Sequence, residues 1–146
     1  MKIAGKAVNV ESVDSIMAFV SKMASIERNW NLLTPEMIDA LLTDNDYRIV
    51  HFTIINPLLK LTEAQIERGL TDERWQVRAA TINKKDVFIS KKQYNRGLKD
   101  DVAQVAMYYG LKYHSLNAAW EAEKLKKEFV KSTKKIVNQS AASSAL

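Results

Sequence analysis

The chain contains no cysteine, which excludes disulfides, thiol nucleophiles and cysteine-ligated metal. Glycine is scarce, with four in 146 residues, too few for a glycine-rich phosphate cradle. No Gly-x-Gly-x-x-Gly, P-loop, His-Glu-x-x-His or nucleophile-elbow pattern occurs. The two histidines, His51 and His114, lie far apart in the sequence. His51 falls inside a predicted helix and reads as a partly buried structural residue; His114 reads as a surface residue at a bend. No apolar run approaches the roughly 18 residues of a membrane span, and no apolar block resembles a secretory signal. These absences remove most familiar chemistry. The expectation is no enzyme, no cofactor, no metal and no membrane, with the protein inside a cell or in a virion.

What is present is a stretch that repeats. Slid forward by 28, Arg68, Gly69, Leu70, Asp72, Gln76 and Val77 fall on Arg96, Gly97, Leu98, Asp100, Gln104 and Val105. Slid back by 28, Leu61, Thr62, Ile66, Leu70, Thr71, Asp72, Thr81 and Ile82 fall on Leu33, Thr34, Ile38, Leu42, Thr43, Asp44, Thr53 and Ile54. A fixed period of about 20–50 residues marks a stacked-repeat architecture. The three copies run over about 33–60, 61–88 and 89–110. Each opens with a hydrophobic residue and a hydroxyl: Leu33-Thr34, Leu61-Thr62, Ile89-Ser90. Gln65 and Gln93 complete capping boxes with Thr62 and Ser90, and Pro35 suits the first helical position of copy one.

A short helix is therefore predicted over 35–42, 63–70 and 91–98, with Gly69 and Gly97 near its end, where a positive φ is often wanted. Asp44, Asp72 and Asp100 then read as N-caps of a second helix. Its inward residues are Tyr47, Val50 and Ile54, then Trp75, Ala79 and Ile82, then Val102, Val105 and Tyr109, by their three-to-four spacing. The same cap reading accounts for the recurrence of Asp44, Asp46, Asp72, Glu73, Asp100 and Asp101 without a bound cation. Leu42, Leu70 and Leu98 are expected at equivalent buried positions, as are Ile38, Ile66 and Tyr94.

Copy two carries a resemblance. Leu61, Ile66, Leu70, Asp72, Val77, Arg78, Ala79, Ala80 and Asn83 resemble the unit of the leucine-rich repeat variant and HEAT-like families, although the variant family's unit is shorter than 28 residues. Copies one and three read Ile49-Val50-His51-Phe52 and Val105-Ala106-Met107-Tyr108 in place of Val-Arg-Ala-Ala. The likeness covers about half the chain. It implies a right-handed helical stack with a binding surface and no catalysis. A HEAT-like DNA glycosylase family lays a basic concave face on duplex DNA, but no acidic catalytic residue in an aromatic pocket is evident here.

The expected fold is all-α: a short α-solenoid of three two-helix repeats in one domain, 1–138. A capping helix precedes it, starting from Ser12 or Asp14, running to about Ser25 and carrying Val13, Ile16, Met17, Val20 and Met23 inward. Trp30, in the linker Ile26–Leu32, is expected to cover that end. After a bend at 110–114, a long helix capped by Ser115 is expected over 115–137, with a stripe of Ala118, Ala122, Leu125, Phe129 and Ile136. Trp120 and Val130 lie beside that stripe, and Lys124, Lys127, Lys131, Lys134 and Lys135 oppose it. The Ala/Ser-rich tail, 139–146, has too little to bury to order itself.

Charge is uneven. Residues 1–83 hold 9 Lys and Arg against 11 Asp and Glu, a net of −2; residues 84–146 hold 13 against 6, a net of +7. Such a field can steer a chain to nucleic acid or to an acidic protein face, or serve only to keep a helix solvated. Lys84, Lys85, Lys91, Lys92, Arg96 and Lys99, with Tyr94 among them, are the candidate nucleic-acid contacts. Tyr108, Tyr113, Trp120 and Phe129 are the candidate protein-interface residues, since Trp and Tyr anchors dominate interfaces; Tyr109 belongs to the same expected aromatic cluster. The function expected is that of a non-enzymatic interaction module, an accessory or structural component of an assembly such as a phage. The alternative is a nucleic-acid-binding module using the basic half.

Overall fold

The computed structural model describes residues 2–3, 6–7 and 13–144. It is all-α apart from a two-residue antiparallel pairing of β1 (Lys2–Ile3) with β2 (Lys6–Ala7). The candidate cap Ser12 and the last two tail residues lie outside the described residues. The chain divides into two compact units, Met1–Ala80 and Thr81–Leu146.

The sequence period reappears in the helix starts. The first helices of the three copies, α2 (Pro35–Leu42), α4 (Glu63–Leu70) and α6 (Lys91–Gly97), begin 28 residues apart. So do the second helices, α3 (Tyr47–Ile54), α5 (Trp75–Asn83) and α7 (Ala103–Leu111). The hydroxyls of Thr34, Thr62 and Ser90 accept from the N–H groups of Met37, Gln65 and Gln93 at 3.2, 3.1 and 3.1 Å. Gln65 and Gln93 reach back to accept from the N–H of Thr62 and Ser90, closing both capping boxes.

The repeated aspartates act one step earlier than expected. Asp44, Asp72 and Asp100 do not cap the second helices. Each accepts from the N–H two residues on, that of Asp46, Arg74 and Val102, at 2.8, 2.8 and 2.9 Å. These are Asx turns, which fold the chain back before the helix starts. The N-cap of α3 is Asp46, accepting from Arg48 N–H, and that of α7 is Val102, which has no capping side chain.

In the first unit, α1 (Val13–Arg28) packs against α3, and α2 against α3. α1 runs to Arg28 and buries a different face from the one expected. Ile26 is buried, Phe19 and Met23 are half-buried, and Val13, Ile16, Met17 and Val20 are exposed. The Arg48 guanidinium lies 4.1 Å over the Phe19 ring, and Lys22 pairs with Asp44 at 2.5 Å. These two contacts hold the helix by its Phe19 face. Trp30, in a 3-10 turn (Trp30–Leu32), is half-buried. Copies one and two are tied at spacings close to the period. Arg68 pairs with Asp39 at 2.6 Å, and Arg74 donates to the carbonyls of Asp44 and Asn45 at 2.8 and 3.2 Å while pairing with Asp72 at 3.0 Å. Burial works against the Asp72 carboxylate, but hydrogen bonds from the Arg74 side chain and backbone outweigh it and hold its pKa below the usual range.

Ile49, Val77 and Val105 occupy one repeat position and are all fully buried; Ile38, Ile66 and Tyr94 share another and are all half-buried. Other equivalences fail. Tyr47 and Trp75 are exposed because each stands at the first turn of its helix, and Val102 is half-buried. Leu42 and Leu70 are buried, but Leu98 is 43% exposed. α6 ends at Gly97, which leaves Leu98 past the last helical residue. His51, expected to be partly buried, is exposed on α3.

In the second unit, α6 packs on α7 and α7 on α8 (Tyr113–Ser144). Only Lys112 separates the last two helices, so the expected bend at 110–114 shrinks to one residue. Ser115 does not cap α8; its hydroxyl donates to the Lys112 carbonyl at 3.0 Å. α8 is anchored at its start by Leu116, which is fully buried, and by Trp120, whose indole N–H donates to the Ile89 carbonyl at 2.8 Å. It continues through the Ala/Ser segment to Ser144, since no glycine or proline follows Gly110 to stop it.

Lys112 ties this turn to the end of α5. Its ammonium donates to the carbonyls of Ile82, in the last turn of α5, and of Lys84, just beyond it, at 2.7 and 2.9 Å. Burial pushes its pKa down to about 8, against a smaller upward pull from Asp86. The folded pKa is thus below the ordinary lysine value of 10.5. The stability contribution of this group is complete above that value and is lost as pH falls through about 8. In urea denaturation between pH 7 and 10.5, wild type should gain on Lys112→Met as pH rises. A difference that stays flat with pH would contradict this linkage.

Candidate functional site

The basic set and the aromatic set meet at the start of α8. Lys91 opens α6 and places its ammonium 5.8 Å from the Trp120 ring centroid, within reach of a cation–π attraction. The Tyr94 ring lies 5.6 Å from that of Trp120, edge-on, and 5.8 Å from that of Tyr113. Tyr113 in turn meets His114 at 5.6 Å. The half-buried Trp120 and Tyr94 thus anchor the helix, while Tyr113 is 41% exposed.

The cluster differs from the expected one in two members. Tyr109 is fully buried against Gly97, and Tyr108 accepts a hydrogen bond from the Gln104 side chain at 2.6 Å on α7. Tyr94 takes their place. Its signal in the sequence was its register with Ile38 and Ile66, which marks it as the half-buried face of α6.

Of the six basic residues, Lys85, Lys91, Lys92, Arg96 and Lys99 are exposed. Lys84 is not among them. Its side chain is 5% exposed, and its ammonium lies 3.9 Å from Asp86, so it is removed from any phosphate-binding surface. The rest line the outward side of α6 and its flanks.

From residue 121 to 142 α8 is exposed throughout. Phe129 is 72% exposed, and Leu125, Val130, Ile136 and Val137 are also open to solvent. The expected stripe is therefore real as a pattern but does not close on the helices of its own unit. The packed residues are Leu116 and Trp120, on the opposite side of the helix from Ala118 and Ala122, which are exposed. The five lysines Lys124, Lys127, Lys131, Lys134 and Lys135 continue the Leu116–Trp120 side outward.

A crevice of about 180 Å³ in the first unit is lined by Leu42, Val50, Ile54, Leu61 and Val77, with Arg68, Asp72 and Arg74 at its polar side. Those charged groups are occupied with Asp39, with each other and with backbone carbonyls. Among the described residues, no three His, Asp or Glu side chains are grouped to hold a metal ion, and no helix is long and apolar enough to cross a membrane. Comparison with protein-family models, curated proteins and solved structures finds no match to this chain.

Proposed function

We propose that this chain is a non-enzymatic interaction module, an accessory or structural component of a larger protein assembly, which docks through α8. The observation that carries this reading is the apolar stripe of α8, exposed over about twenty residues beyond the helix's anchor. Helices in proteins owe most of their stability to packing of an amphipathic face, so a face left open asks for a partner. The exposed Val13, Ile16, Met17 and Val20 of α1 form a second, shorter stripe of the same kind. The fold proposed with it is a short α-solenoid of leucine-rich repeat variant or HEAT-like type. The common helix spacing, the recurring Asx turns and the Arg68 and Arg74 ties between copies one and two support it.

A photo-crosslinking benzoylphenylalanine at position 129 tests the docking role in the assembled source material. It should give a discrete adduct with a polypeptide, abolished by Leu125→Glu with Ile136→Glu. Only diffuse background would refute the reading.

The second reading, nucleic-acid binding, is favoured by the exposed run of Lys85, Lys91, Lys92, Arg96 and Lys99 beside the Tyr113–Trp120 aromatic surface. On the first reading, fluorescent duplex DNA and RNA bind weakly at physiological salt. Sub-micromolar binding that falls steeply with salt, and that reversal of Lys85, Lys91, Lys92 and Arg96 to Glu abolishes, would establish the second instead. Each lost phosphate contact should flatten the log–log salt slope by about one unit.

A further inference from the structure

Ala118, Ala122, Leu125, Phe129, Ser132, Ile136 and Gln139 follow one another at alternating intervals of four and three. That spacing is the mark of a helix seam that meets another helix along its length. A helix meant for a bilayer surface would be rimmed by lysine and arginine. Here the apolar arc is flanked by Glu121 and Glu128 on one side and by Lys126 on the other, with Glu123 further round, and the other lysines of the helix lie on the far face. An anionic surface is a poor match for this arrangement.

We propose that the occupant of the seam is α8 of a second copy of this chain, running parallel and in register. This rests on the reading of α8 as a docking helix and names its partner. Three features select a second copy. In parallel register like meets like: Leu125, Phe129 and Ile136 stack on themselves, and the polar Ser132 and Gln139 face their own counterparts instead of apolar groups. In coiled-coil geometry the position flanking one layer reaches the position five residues on in the partner, so Glu121 meets Lys126 of the second copy, twice by symmetry. The antiparallel alternative would set Ile136 against Ala118 and Glu128 against its own copy. Finally, the seam is open along its whole length, because α8 is anchored through its other side by Leu116 and Trp120. The lysine face then stays in water on the outside of the pair.

The absence of cysteine makes the test direct. Sedimentation of the full chain should show a concentration-dependent dimer, and Phe129→Glu should weaken association by about tenfold or more, since it places a charge in an apolar layer. Retained helical circular dichroism and cooperative urea unfolding would show that this variant is still folded. Under mild copper-phenanthroline oxidation, Ser132→Cys and Gln139→Cys should each form a disulfide-linked dimer, and Lys134→Cys, on the far face, should not. A monomer at all accessible concentrations overturns the proposal. So does a dimer indifferent to Phe129→Glu, or cross-linking at 134 in place of 132 and 139. Binding of a monomer to phosphatidylserine vesicles would assign the stripe to lipid and overturn it too. The photo-crosslinker at 129 separates the two levels. A monomer that still forms a discrete adduct with another polypeptide refutes self-pairing but leaves the docking role, whereas a monomer with no adduct refutes both.

Discussion

Leu70→Ala is expected to lower unfolding free energy by about 2–5 kcal/mol, and Leu98→Ala by less than about 1 kcal/mol. The two leucines are equivalent in sequence and differ in burial, at 4% and 43% exposed. Leu70 is the last residue of α4, so its side chain still points inward with Leu42 and Ile66 in the register of the first helices. Truncating it removes apolar contacts and leaves a cavity that the adjoining helices fill only in part. Leu98 stands just after α6 with much of its surface already in water, so truncation opens no cavity. Urea denaturation of both variants decides the matter. Equal losses would mean that the third copy closes as the second does and that Leu98 is buried in solution.

This pair shows where the sequence was informative and where it was not. The starts of α2, α4 and α6 were legible because Thr34, Thr62 and Ser90 act locally, through hydroxyls that bond three residues ahead. The second helices were placed two residues early at the aspartates. An Asx turn and an N-cap use the same carboxylate and differ only in which N–H it accepts. Burial within a repeat was harder to read, because it depends on what neighbours supply. Ile49, Val77 and Val105 hold their positions in every copy, whereas Leu98 falls just past the end of α6 and is exposed. The face that α1 buries depends on Arg48 and Asp44, far away in sequence, and periodicity alone chose the wrong stripe.

The candidate surface divides in the same way. Lysine and arginine meet water by default: Lys91, Lys92 and Arg96 on α6, and Lys85 and Lys99 on its flanks, are exposed. Lys84, grouped with them in the sequence, is instead buried, with its ammonium 3.9 Å from Asp86. Of the expected aromatic group, Tyr113 and Trp120 each meet Tyr94, which joins from another helix. On α8, helical spacing located the stripe without revealing that the chain leaves it uncovered beyond residue 120.

Gly97→Ala should be at least as damaging as a large core truncation, costing about 3 kcal/mol or more, although it adds one methyl group. Gly97 was read as a residue wanted for positive φ at a helix end, yet it is the last residue of α6 and keeps a helical backbone. Its role is close approach. A Cβ there would lie 2.1–2.3 Å from ring atoms of Tyr109, which is 1% exposed and has no room to swing aside. In the first copy the corresponding pair is Leu41 and Thr53, a large residue on the first helix and a small one on the second; the third copy exchanges them. A methyl group added at position 97 and the Tyr109 ring would therefore compete for one volume. Tyr109→Leu alone should destabilise by removing buried ring contacts, but the double variant should be more stable than the sum of the two single losses predicts. Neighbours sharing one space couple in this way, by about 0.5–3 kcal/mol. Gly110→Ala is the control, since a Cβ built there meets no atom within 4 Å beyond its chain neighbours and its own helix backbone, and the residue sits within α7. It should be neutral or slightly stabilising, as alanine favours the helix by about 1 kcal/mol over glycine. If Gly97→Ala and Gly110→Ala prove equally mild in urea denaturation, Tyr109 does not pack on α6 and the third helix pair closes in another way.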